Sequence, residues 1–186
     1  MKDEDLYLPK SDFLTWVSNE EIPFDDSEYG RANLRRLIDL TTDEDTSNRD
    51  WATMLLGHYG PRTSEVRDAL LRAADDEDEY VRGEAVQALV ERDRSAALRL
   101  TVRELAGDSV CYAIFQAATE LADPSLVPLL EICAEKPTGV THLDGQIADA
   151  LEACRGSYRF RSSTRRNFPV AVFGSASTNS ISRGYL

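Results

Sequence analysis

One nine-residue pattern returns along this chain at a nearly fixed interval, and that interval restricts the fold more than any other feature. Its clearest copy is Val81-Arg82-Gly83-Glu84-Ala85-Val86-Gln87-Ala88-Leu89. The copy Asn48-Arg49-Asp50-Trp51-Ala52-Thr53-Met54-Leu55-Leu56 begins 33 positions earlier, and Ala113-Ile114-Phe115-Gln116-Ala117-Ala118-Thr119-Glu120-Leu121 begins 32 positions later. Ala52, Ala85 and Ala117 share one place in the pattern, Leu56, Leu89 and Leu121 share another, and Asp43, Asp76 and Asp108 each stand five residues ahead of a copy. A period of this length belongs to stacked supersecondary units, none of which can bury its apolar stripe alone. The expected fold is all-α, an α-solenoid of about four helical hairpins.

Amphipathic spacing (i, i+3, i+4, i+7) places the hairpins. The first pair is predicted at 29–41 and 47–58, with Leu34, Leu37 and Ile38 as the buried stripe of its first helix. The second is predicted at 63–74 and 79–91 with Val66, Leu70 and Leu71, and the third at 95–106 and 109–122 with Leu98, Val102 and Leu105. The fourth is predicted at 125–135 and 143–154, using Leu126, Leu129, Leu130 and Ile132, then Ile147 and Leu151. Gly60-Pro61, Gly107-Asp108 and Asp123-Pro124 punctuate the boundaries, where glycine ends helices and proline starts them. Residues 1–28 read as an N-terminal extension that caps the stack, with Ser11 capping a short helix that carries Phe13, Leu14, Trp16 and Val17. The solenoid itself is expected over 29–155.

From Arg155 the composition changes. Residues 155–186 hold six arginines, no acid and no lysine, which leaves residues 1–154 with a formal charge of −18. Residues 156–186 are expected to be a disordered or loosely docked basic tail, or sequence foreign to the fold. Its apolar run Phe168-Pro169-Val170-Ala171-Val172-Phe173 is a candidate docking segment. The net charge of −12 disfavours nucleic acid and anionic membranes and favours cationic partners. No segment approaches the ~20 apolar residues that span a bilayer, and Met1-Lys2-Asp3-Glu4-Asp5 lacks the basic and apolar regions of a secretory signal. Cys111, Cys133 and Cys154 lie too far apart for a metal set and read as core thiols of a reducing compartment. Cytoplasmic location is the expectation.

The blocks Asp43 to Leu56 and Asp76 to Leu89 resemble HEAT repeats, which pair an aspartate-bearing turn with an arginine step and an Ala-x-x-x-Leu second helix. The resemblance covers about 29–155. It weakens where Ile114 replaces the arginine, and again where Thr138 stands in place of the aspartate. It implies a right-handed stack of antiparallel pairs whose second helices line the concave side. It also implies an arginine–aspartate ladder, confined here to Arg49 and Arg82. Most such proteins bind other proteins, so the resemblance implies a surface and no reaction. HEAT-like deoxyhypusine hydroxylases need several His-Glu pairs, and His58 and His142 are followed here by Tyr59 and Leu143. Alkylpurine glycosylases of this type need a basic groove, which an acidic solenoid opposes. Phycobilin lyases share comparable repeats, and no motif here speaks for pigment attachment.

No phosphate loop, nucleophile–base pair or zinc signature is present in the sequence, so no catalytic residue, metal site or cofactor is expected. On the wheel of the second helices, Ala85, Ala88 and Leu89 face inward, and Tyr80, Gly83, Glu84 and Gln87 face away. Projected onto the neighbouring copies, this places Trp51, Tyr80, Tyr112 and Phe115 as aromatic anchors, since clustered surface aromatics typify binding hot spots. Asp50, Glu84, Gln87 and Gln116 lie beside them as polar selectors. A second set is the acidic edge formed by stacked turns: Asp43, Glu44, Asp45, Asp75, Asp76, Glu77, Asp78, Glu79 and Asp108. Negative charge there also favours the following helix N-termini. The expected function is a non-enzymatic HEAT-repeat module binding a basic protein through its aromatic concave face and acidic turns. The alternatives are an immunity protein neutralising a basic toxin, and a HEAT-like lyase using the groove as a small-molecule cleft.

Overall fold

A computed structural model of the chain describes residues 7–135, 139–156 and 181–182. Among these residues the helices run α1 (Asp12–Ser18), α2 (Glu28–Leu40), α3 (Thr46–Tyr59), α4 (Ser64–Ala73), α5 (Glu79–Leu89), α6 (Arg94–Leu105), α7 (Tyr112–Leu121), α8 (Val127–Ala134) and α9 (Thr141–Cys154). A 3-10 turn at Pro124–Leu126 leads into α8. The predicted hairpins are therefore α2/α3, α4/α5, α6/α7 and α8/α9. The second helices α3, α5, α7 and α9 pack in succession, and each first helix packs on its own partner. This is the all-α solenoid that the repeat implied.

Most helices begin where an oxygen-bearing side chain satisfies an otherwise orphaned N–H. Asp45 accepts from Ser47 N, Asp78 from Tyr80 and Val81 N, Thr63 from Val66 N, and Asp93 from Ala96 N. Ser11 precedes α1 but makes no side-chain cap. Its backbone N–H instead donates to Asn48 Oδ1 at 2.9 Å. The third hairpin starts its second helix three residues later than expected, because Ser109–Val110 form a short strand (β1) instead. That strand pairs antiparallel with Ile181–Ser182 (β2). The run Phe168–Phe173 lies outside the described residues.

Alanine at the recurrent position lets the second helices approach closely: Ala52, Ala85 and Ala117 are fully buried, as are Leu56 and Leu89. Glycine does the same work at two further contacts. A Cβ at Gly57 would lie 2.7 Å from Ala88 Cβ, and one at Gly83 would lie 2.2 Å from Cys111 Sγ. Gly83 thus faces the next helix, not the outside. Two stripe residues also depart from expectation. Val102 is 37% exposed and Ile132 is 47% exposed. On α6 the buried face is Ala96, Ala97, Thr101, Glu104 and Leu105, because Glu104 turns in to meet Arg82. The three cysteines are free and buried, in keeping with the core reading.

The N-terminal extension packs across the first hairpin. Phe13, Leu14 and Val17 of α1 join the core, and α1 packs on α3. Arg36 lies 4.3 Å over the Phe13 ring, and Phe24 stacks on Tyr59 at 6.3 Å.

Candidate functional site

The turns that looked like one acidic edge divide into structural and free carboxylates. Arg49, itself buried, donates to Asp76 through Nε at 2.8 Å and Nη2 at 3.1 Å, and to the Asp43 and Glu44 carbonyls at 3.0 and 3.2 Å. Asp76 also accepts from Asp78 N at 2.9 Å. Arg82 repeats the carbonyl contacts to Asp76 and Glu77, but its carboxylate partner is Glu104 at 3.1 Å, not Asp108. The ladder therefore has a glutamate from α6 in its second rung. Asp43 accepts from Asp45 N and Asn48 Nδ2, and Glu79 accepts from Ser109 Oγ. Asp45 meets Lys10, and that contact first, then the Ser47 hydroxyl, holds its carboxyl down at about 2. Asp75 pairs with Arg103 at 2.6 Å. Glu77 reaches Arg49 at 3.3 Å from an exposed position. Glu44 and Asp108 are exposed.

Of the four aromatic anchors, two are not available. Trp51 is 7% exposed and Phe115 is fully buried, and both belong to the core cluster. Phe115 occupies the repeat position of Gly83, which points at the neighbouring second helix. An aromatic ring at that place fills the space between repeats. Tyr80 and Tyr112 are half-buried, packed at the margin of the core. Tyr112 stacks on His142 at 5.2 Å between ring centres, and its hydroxyl accepts from Gln116 Nε2 at 3.0 Å. Gln87 donates to Glu120 at 2.8 Å, while its own carbonyl oxygen is buried without a hydrogen bond among the described residues.

Asp50 and Glu84 come from adjacent repeats, and the Asp50 charge acts on Glu84. Burial pushes the Asp50 carboxyl up to about 6; the phenol of Tyr7, donating to it, works against that rise, and the Asp78 and Asp76 charges add to it. Glu84 keeps some accessible surface, but its carboxyl is packed round by protein, and burial, then the Asp50 charge, pushes it up to about 8. Among the described residues neither carboxyl forms a salt bridge. Cys111 adjoins this pair: burial first, then the Glu84 charge, raises its thiol to about 12. Such a thiol is inert as a nucleophile. Tyr7 is raised for the same reasons, burial first and Asp50 second. The sequence reading missed Tyr7 because it treated residues 1–28 only as an end cap. The available signal was an aromatic and a cation, Tyr7-Leu8-Pro9-Lys10, directly before a helix.

Among the described residues no group of three or more His, Cys, Asp or Glu is arranged to hold a metal ion, and no helix is long and apolar enough to cross a membrane. A cleft of about 350 Å³ lies between α8 and α9, lined by Cys133, Ala134, Asp144, Ile147, Ala148 and Leu151. It is remote in the repeat order from Asp50 and Glu84.

Stacked hairpins, the alanine–leucine seam and the arginine ladder define a HEAT-repeat protein, and residues 34–122 match the family model for HEAT repeats. That match covers just under half of the chain and, with the fold, supports a HEAT-repeat protein. It is similar to protein YibA of Escherichia coli K12 and of Escherichia coli O157:H7, each 32% identical over 101 residues that cover 54% of this chain and 36% of the relative. The crystal structure of the Escherichia coli YibA protein superposes with a TM-score of 0.54 at 25% identity, over 77% of this chain and 54% of that one. The chain thus spans about a third of the length of the curated relatives it matches.

Proposed function

We propose that this HEAT-repeat chain is a non-enzymatic protein-binding module that takes a basic segment of another protein on the face built by α3 and α5. The observation that carries this reading is the Asp50–Glu84 pair. Two acids are held together at a packed surface, and no cation among the described residues neutralises them. An arrangement that costs stability in the free protein favours a ligand that supplies the missing charge. Lysine and arginine offer donors only, which suits a lining of carboxylates and the Gln87 carbonyl, unpaired among the described residues. Tyr80 and Tyr112 supply aromatic area at the margin, and the exposed Glu44, Asp75, Glu77 and Asp108 add long-range attraction that salt screens.

The reading makes a specific calorimetric prediction. At pH 7 Glu84 is largely protonated, and a cation bound beside it lowers its pKa, so binding expels a proton. Titration of a hexalysine peptide at pH 7 in phosphate and in Tris should give enthalpies that differ by the release of up to about one proton per site. The Asp50→Asn/Glu84→Gln protein should lose that difference and bind at least tenfold more weakly, about 1.4 kcal/mol. Equal affinity in the two proteins would remove the pair from the account.

A further inference from the structure

The segment ahead of α1 already lies over the face assigned to the partner. The Tyr7 phenol donates to Asp50, Lys10 pairs with Asp45, and Ser11 N–H donates to Asn48 Oδ1 at 2.9 Å. All three acceptors lie on α3 or cap it. The contacts are unequal. Asn48 is buried, and α1 follows at once with Phe13, Leu14 and Val17 in the core, so the Ser11 end is fixed. The Lys10 side chain is 76% exposed, and water and salt screen an ion pair of that kind. Leu8 is 54% exposed. Beyond the edge packing of its ring, Tyr7 adds one hydrogen bond. Lifting residues 7–10 about Ser11 therefore breaks little, whereas lifting α1 would expose core side chains.

The chemistry of the segment is also that expected of a partner. It brings a ring to Asp50 and a cation to the acidic turn, with Pro9 fixing the backbone angle between them. We infer that Tyr7–Lys10 is an intramolecular competitor, a strap that occupies the basic partner's place on α3 and swings out about Ser11 when the partner binds. The inference rests on the preceding reading of Asp50 and Glu84 as the site for a basic segment.

The test uses the full chain, fluorescein-labelled hexalysine as the probe, and low ionic strength. Tyr7→Phe/Lys10→Ala removes the hydrogen bond and the ion pair but keeps the ring. It should bind the probe about fivefold more tightly than the unsubstituted protein, because the open state no longer has to be won from the strap. NMR of the unsubstituted protein should show the Tyr7 ring signals moving to the positions of a free tyrosine when the probe binds, while the Phe13 and Leu14 signals of α1 stay in place. Unchanged affinity in the strap variant, with unmoved Tyr7 ring signals, overturns the strap. If Asp50→Asn/Glu84→Gln still weakens the probe in that case, the acidic site stands without it. Failure of every form to bind the probe overturns both.

Discussion

Glu84 shows how one residue can be well placed on its helix and poorly placed energetically. Its neighbours at the ladder, Asp76 and Glu104, are comparably enclosed, but each faces an arginine. Glu84 faces Asp50 and Cys111. The sign of its effect on stability follows from where its proton goes. Below its ordinary value of 4.5 both folded and unfolded chains hold the proton, and the residue costs nothing. Between 4.5 and about 8 the unfolded chain releases the proton while the folded chain keeps it, so stability falls as pH rises; above about 8 the cost is complete. Asp50 acts in the same direction over a lower window, from its ordinary 3.8 to about 6. Replacing Glu84 by Gln removes the penalty and keeps the shape. Thermal denaturation should show Glu84→Gln raising Tm by roughly 3–8 °C at pH 8.5, and by far less at pH 5. An equal gain at both pH values would place the cost in packing and not in charge. The sequence marked Glu84 as outward-facing on its own helix. It did not reveal the cost, which depends on Asp50 across a helix–helix contact.

At the scale of helices, two devices hold adjacent repeats in register, and each has its own test. The first is the arginine ladder. Arg49 makes a bidentate contact with Asp76 and binds two turn carbonyls from a buried position. Arg62–Glu91 is exposed on both sides. Losing one partner of a buried pair strands the other, at about 3–5 kcal/mol, whereas exposed pairs contribute about 0–1 kcal/mol. Urea denaturation should therefore show Arg49→Ala costing about 3 kcal/mol and Arg62→Ala under about 0.5 kcal/mol. Comparable losses would reduce the ladder to decoration. The second device is the Gly83–Cys111 approach. Alanine gains about 0.5–1 kcal/mol over glycine inside a helix, but the overlap with the sulfur costs about 1–3 kcal/mol, so Gly83→Ala should be destabilising. In a Cys111→Ala background the sulfur is gone and the same change should become neutral or favourable, a coupling of at least about 1 kcal/mol in a double-mutant cycle. This contact also explains which anchors were misread. A helical wheel gives the direction of a side chain about its own axis, not the distance to the next helix. Gly83 is the small member of a position that faces the neighbouring repeat; Phe115 is its large member and is buried there. Ala85 and Leu89 could be placed from the repeat alone because their position meets the same partner layer in every hairpin. Val102 could not, since on α6 the face is fixed by Glu104 reaching back to Arg82, a contact with no local signature.

Across the whole molecule the described solenoid is held unequally along its length. A stack in which each hairpin touches only its neighbours opens from wherever those contacts are thinnest. The first hairpin is covered by α1, which adds Phe13, Leu14 and Val17 to the core, and by the Phe24–Tyr59 stack. The middle hairpins have neighbours on both sides; the Arg49 rung ties the first hairpin to the second, and the Arg82 rung ties the second to the third. The hairpin of α8 and α9 lacks a ladder arginine at the repeat position and has a cleft between its two helices. It also exposes Ile132, and α8 has only 8 residues, with a proline in its first turn. Each of these features lowers the number of buried contacts that must break for the hairpin to separate. Native-state hydrogen exchange should accordingly find α9 amides opening at a free energy well below that of α5, with little dependence on denaturant, the signature of a local opening that exposes little surface. Filling the cleft gives the complementary result: Ala148→Leu, on its lining, should slow α9 exchange and leave α5 unchanged. If α9 and α5 amides instead exchange together through one global transition, the hairpins are coupled more tightly than nearest-neighbour contacts supply, and the ladder is not what sets the gradient.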